Sequence, residues 1–103
     1  MRGPSVLFAA LGDETRLAIV ARLSSGQPFS ISQLTEGTRL TRQAITKHLG
    51  VLAKAGLVRC QRAGRESRFE LDPGPIAQMH TYLDSVSRQW DEALLRLKAF
   101  VEE

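Results

Sequence analysis

One cysteine, Cys60, is too few for an internal disulfide or a thiolate cluster around zinc, and it suits a reducing compartment. Aromatic residues make up 6% of the chain, which argues against a single-strand binder that stacks bases on exposed rings. No apolar run approaches the roughly 20 residues that span a bilayer. The opening MRGPSVLFAALGDE has neither the long apolar stretch nor the cleavage site of a signal peptide, so the expected location is the cytoplasm, with no membrane partner. Eight glycines and four prolines are too few for a disordered or fibrous chain. With two histidines, one tyrosine and no glycine loop, nucleophile elbow or HExxH pattern, the chain is not expected to be an enzyme or to need a cofactor. What it does have is 43% hydrophobic residues in 103, enough for one core and hence one domain over 1–103.

The formal net charge of +3 conceals an uneven distribution. In residues 1–38 the charges balance. Residues 39–68 carry Arg39, Arg42, Lys47, Lys54, Arg59, Arg62, Arg65 and Arg68 against Glu66 alone, whereas 69–103 are net acidic. Such a concentration of cations repels itself, and its natural counterion is a polyphosphate backbone; the plainer alternative is a solvated basic face.

Pro4 followed by Val6, Leu7, Ala10 and Leu11 at helical spacing predicts a first helix. Asp13 can cap a second, with Leu17, Val20, Ala21 and Leu23 as its apolar residues and Ser25-Gly26 as its stop. Ser30 can cap a short helix carrying Ile31 and Leu34 that ends near Gly37. Thr41 can cap a longer one whose Ile45, Leu49, Leu52 and Ala53 form a stripe ending at Gly56, with Arg42, Gln43, Thr46, Lys47 and Gly50 on the opposite face. From Leu57 the period changes to two. A turn at Ala63-Gly64-Arg65-Glu66 separates two runs that read as a β-hairpin with a basic tip. Asp72-Pro73-Gly74-Pro75 reads as a break. Beyond it Ile76, Met79, Leu83, Val86, Trp90, Leu94, Leu97 and Val101 recur at steps of three and four, predicting a helix over 75–101, about 40 Å at 1.5 Å per residue. A small core cannot cover that length, so part of the stripe needs a partner.

A short helix, a tight turn, a second helix with a polar face and a following hairpin constitute a winged helix-turn-helix: mainly α, with a small β wing. The chemistry expected of it is duplex DNA recognition. Arg42 and Gln43, just after the cap, suit bidentate contacts to base edges, with a phosphate contact as the plainer alternative for Arg42; Thr41, Thr46 and Lys47 suit phosphate or groove contacts; Arg39 in the turn and Arg62, Arg65 and Arg68 on the hairpin add cations.

Three stretches resemble the ArsR-type winged-helix repressors of bacteria: LFAALGDETRLAIVARL at 7–23, SISQLTEGTRLTRQAITKHLGVLAKAGLV at 30–58, and RAGRESRFEL at 62–71. The resemblance covers nearly the whole chain. It implies a homodimer built on the first and last helices, a recognition helix over about 41–55, and repression by occlusion of a promoter on an operator duplex. Leu7, Leu11, Leu83, Val86, Trp90, Leu94 and Leu97 are the expected dimer contacts. Metal-sensing members carry a Cys-x-Cys pattern on the third helix, where this chain has 29–33 without cysteine, and no metal site is expected. The tail SRQWDEALLRLKAFVEE is similar to the subgroup without recognised metal ligands, in which repression of the repressor's own operon is typical.

The remaining candidates have plainer readings. His48, beside the apolar stripe, reads as a packing or hydrogen-bonding residue. His80 and Asp84 have a chelating spacing, but the second downstream histidine that relatives use on this helix is absent. Cys60 between Arg59 and Arg62 has the surroundings of a redox thiol, yet a strand cysteine is more simply inert. Met79 and Trp90 read as core or dimer contact rather than ligand pocket. Two rivals to a simple repressor are a metal- or thiol-responsive derepressor and a winged-helix module for protein assembly; the second would have a neutral or apolar outer helix face, which this sequence lacks. No inducer is designated by the sequence.

Overall fold

The computed structural model describes residues 3–102. Five helices and three strands follow in the order α1 (Pro4–Leu11), α2 (Glu14–Leu23), β1 (Phe29–Ser30), α3 (Ile31–Thr35), α4 (Arg42–Lys54), β2 (Val58–Ala63), β3 (Glu66–Leu71) and α5 (Pro73–Glu102). Short polar side chains cap the starts of α2, α3 and α4, whereas α1 begins at Gly3-Pro4 without a side-chain cap. Asp13 accepts the Arg16 N–H at 3.0 Å and Thr41 accepts that of Ala44 at 3.1 Å. At α3 the cap is reciprocal: Ser30 Oγ accepts from the Gln33 N–H while Gln33 Oε1 accepts from the Ser30 N–H.

Helix α4 ends in a Schellman motif. Gly56, at φ +86°, donates to the Ala53 carbonyl and Leu57 donates to Leu52, both at 3.0 Å. Leu52 and Leu57 are both fully buried, so the turn that ends the helix also anchors the start of the wing. The Leu57 carbonyl in turn accepts the N–H of Asp72 at 2.9 Å, where the wing ends and α5 begins. One residue therefore joins α4, the wing and α5.

The wing strands β2 and β3 pair antiparallel from Val58 opposite Leu71 to Ala63 opposite Glu66, leaving Gly64-Arg65 as a two-residue turn. Gly64 has φ +65° and Arg65 does not have a positive φ, the combination of a type II′ hairpin. Strand β1 adds to the other edge of β3, with Phe29 opposite Phe69, giving the sheet order β1-β3-β2. Beneath the sheet, Ile19 and Leu23 of α2, Leu34 of α3, and Ile45, Leu49 and Leu52 of α4 form the core with Leu7 and Ala10 of α1 and Met79 of α5.

Four expectations change. Leu17 and Ala21 are exposed, because α2 turns Ile19 and Leu23 inward instead. Of the apolar stripe expected on α4, Ala53 is exposed, while Ala55 at the cap is buried. Asp72-Pro73-Gly74-Pro75 opens α5 rather than breaking the chain: proline at a first helical turn loses no needed N–H, and Asp72 Oδ1 accepts the Gly74 N–H at 3.0 Å. Leu7, expected at a dimer contact, is 1% exposed inside the chain's own core, because α1 faces α4 and α5 with Leu7 and Ala10. Leu11, expected beside it, is partly buried against that core. The long α5 accounts for the elongated outline, 67 × 29 × 21 Å.

Candidate nucleic-acid interface

Helix α4 buries Ile45, Leu49 and Leu52 and leaves Arg42, Gln43, Thr46, Lys47 and Gly50 exposed. At about 100° per residue, Gln43, Lys47, Gly50 and Lys54 form the middle of the outer face. Arg42 is offset by about 100° from Gln43 and sits on the flank nearest the buried side, next to the wing. The two hydroxyls of this region differ. Thr41 Oγ1 accepts a backbone N–H, which leaves its hydrogen free to donate to a phosphate. Thr46 Oγ1 donates to the Arg42 carbonyl at 2.7 Å, so toward an outside group it acts as an acceptor. A phosphate contact from Thr46 therefore requires that internal bond to break.

The wing arginines divide between two faces. Residues opposite each other in an antiparallel pair point the same way, so Arg62 shares a face with Ser67 while Arg68 shares the other with Gln61. Arg65 occupies the tip. Arg68 Nε is 3.3 Å from Glu66 Oε2, and Arg59, on the face of Arg68, is held by Glu70 at 3.0 Å. Arg39 is exposed in the turn before α4. Between the start of α3, the first residue of α4 and the wing tip lies a cleft of about 450 Å³, lined by Ile31, Ser32, Arg42, Arg65, Glu66 and Ser67 among others.

A second group of side chains holds α4 from behind. His48 Nδ1 is 3.3 Å from an Arg16 guanidinium nitrogen and 3.7 Å from Asp13 Oδ2, and Arg16 Nε donates to the Ala10 carbonyl. The donated Arg16 N–H, and then the charges of Arg16 and His48, hold the Asp13 carboxyl below its ordinary value of 3.8. His48 thus makes the hydrogen bond expected of it, to partners that its sequence position does not reveal. Arg22 was also silent in the sequence: it donates to the Gln33 and Leu34 carbonyls and lies over the Phe29 ring, tying α2 to α3.

Of the expected dimer contacts on α5, Leu83, Trp90, Leu94 and Leu97 are exposed, Trp90 by 66% and Leu97 by 58%, and Val86 is partly so. Tyr82, Phe100 and Val101 widen this apolar face. Toward the start of α5 the chain covers its own stripe, with Met79 buried and the Tyr82 ring 5.7 Å from Phe8 of α1. His80 is exposed, and Asp84 pairs with Arg88 at 3.5 Å. Among the described residues no three His, Cys, Asp or Glu side chains come together. Cys60 is exposed on β2, opposite Phe69.

Residues 11–61 match the helix-turn-helix domain family. HTH-type transcriptional regulator Rv2034 of Mycobacterium tuberculosis is 40% identical over 90% of this chain and 83% of its own length. The arsenical resistance operon repressor of Escherichia coli is 33% identical over 68% of this chain and 60% of its own. A solved ArsR-like transcriptional regulator from Rhodococcus sp. RHA1 superposes with a TM-score of 0.77 at 34% identity, covering 94% of this chain and 91% of that one.

Proposed function

Because the chain belongs to the ArsR-type helix-turn-helix transcriptional regulators and is a DNA-binding repressor, we propose that it acts as a homodimer that occludes the promoter of its own operon. The observation that carries this reading is the pairing of a polar, cationic face on α4 with an uncovered apolar face on α5. The first suits the major groove, with Gln43 and Lys47 toward base edges and Arg39, Thr41, Arg42, Arg62 and Arg65 available to the backbone or groove walls. The second suits a copy of itself, since two half-sites on one duplex call for two recognition helices held at a set distance. In this reading residues 1–103 form one DNA-binding domain, with Leu83, Val86, Trp90, Leu94 and Leu97 meeting their counterparts in the partner. A cytoplasmic location goes with access to an operator, and no helix among the described residues is long and apolar enough to cross a membrane.

The decisive experiment is selection of bound duplexes from a random pool, followed by footprinting on the DNA upstream of the chain's own gene. A two-fold symmetric motif with half-sites one helical turn apart, present in that upstream DNA, is the expected result. Enrichment of an asymmetric single half-site, or no protection upstream, would overturn the dimer or the autorepression respectively.

A further inference from the structure

We propose that the cleft between α3, Arg42 and the wing tip is the seat of one DNA backbone phosphate, and that Arg42 anchors that phosphate instead of reading a base. The inference rests on the chain being a DNA-binding repressor and adds a division of labour within the interface. Three elements converge on the cleft: Ser32 from α3, Arg42 from α4, and Arg65 and Ser67 from the wing. Among the described residues neither guanidinium has a hydrogen-bond or ion-pair partner, and neither serine hydroxyl makes an internal hydrogen bond. The one carboxylate on the lining, Glu66, is paired with Arg68. Two uncompensated cations and two hydroxyl donors around one concavity suit an anion with several acceptor oxygens.

The helical offset supports the same assignment. A side chain that reads bases must leave the middle of the outer face, where Gln43 and Lys47 stand, whereas Arg42 leaves the flank toward the wing. With α4 in the major groove and the wing over the adjacent backbone, the strand between them runs along this cleft. Guanidinium chemistry alone suits guanine as well as phosphate, which is why residue type left the two roles open.

The test is anisotropy titration of wild type, Arg42→Ala, Arg42→Lys and Gln43→Ala against the selected duplex and a scrambled one over a series of salt concentrations. For Arg42→Ala the expected result is the same fold-loss on both duplexes and a salt slope shallower by about 1 per protomer. Arg42→Lys, which keeps the charge, should restore the slope, and Gln43→Ala should lose affinity on the selected duplex only. As a further check, single neutral methylphosphonates are scanned along the site. One position should weaken the wild type and leave Arg42→Ala unaffected. Loss by Arg42→Ala confined to the selected duplex, with an unchanged slope and no rescue by lysine, would overturn the proposal while leaving DNA binding intact. A wild type that binds neither duplex would instead overturn the reading on which it rests.

Discussion

Ser30 is the polar residue that the fold buries among those described, and both its hydroxyl and its N–H are satisfied by Gln33. Alanine there would leave the Gln33 N–H without its acceptor at the start of the first helix of the helix-turn-helix. Ser30→Ala is expected to cost about 1 kcal/mol, or roughly 4–8 °C in Tm, read by thermal unfolding. Asp13 is a residue of a different kind because its carboxyl titrates lower in the fold than its ordinary 3.8. A depressed carboxylate contributes stability that is fully present above the unfolded value and is lost as pH falls through the lower folded one. Asparagine caps as well as aspartate but carries no charge. Asp13→Asn should therefore be less stable than wild type at pH 7, with the gap closing as the pH drops below about 3.8. Urea unfolding at both pH values measures it, and a gap that widens in acid would contradict the assignment.

Among the elements, the wing depends on its turn. Gly64 at φ +65° lies where a β-branched side chain is strained, so Gly64→Val should loosen the hairpin, while Gly64→Asn is tolerated. Amide exchange should quicken around Gln61 and Ser67 in the valine variant and stay slow in the middle of α4; uniform quickening would mean that the whole fold had been weakened. The hairpin, α1 with its first-turn proline, and α2 and α4 with their caps were legible because each has a start signal, a stop signal and a run long enough to show a period. Strand β1 was not, since two residues show no alternation. The Asp72-Pro73-Gly74-Pro75 run was misleading because proline and glycine mark loops and first helical turns alike. At the site, residue types and the exposed face of α4 were readable. The Asp13–Arg16–His48 contact was not, because it joins residues distant in sequence, and neither the resemblance nor the period of α1 says that α4 and α5 of the same chain cover Leu7.

On the scale of the whole molecule, cations gather around α4 and the wing whereas α5 is nearly neutral, with Asp84, Asp91, Glu92 and Glu102 against Arg88, Arg96 and Lys98, so the DNA-binding end and the end proposed for a second copy are electrostatically distinct. Leu94→Glu combined with Leu97→Glu places like charges across the proposed α5 seam. The variant is expected to run as a monomer of 11.4 kDa in light scattering and to lose about 10²- to 10⁴-fold in operator affinity as the two half-sites uncouple. Unchanged mass with reduced affinity would move the interface elsewhere on the chain.

The Leu57 junction has a geometric consequence for that assembly. Its N–H is bound by α4 and its carbonyl by the first residue before α5, with no slack segment between them. The recognition helix is therefore geared to the long helix: in the proposed dimer, turning one α5 against its twin would swing both reading heads together. Substitutions that tilt this seam without opening it should change the number of base pairs tolerated between half-sites and leave each half-site's own letters alone, so that the ruler and the alphabet of the operator evolve at separate addresses in the chain.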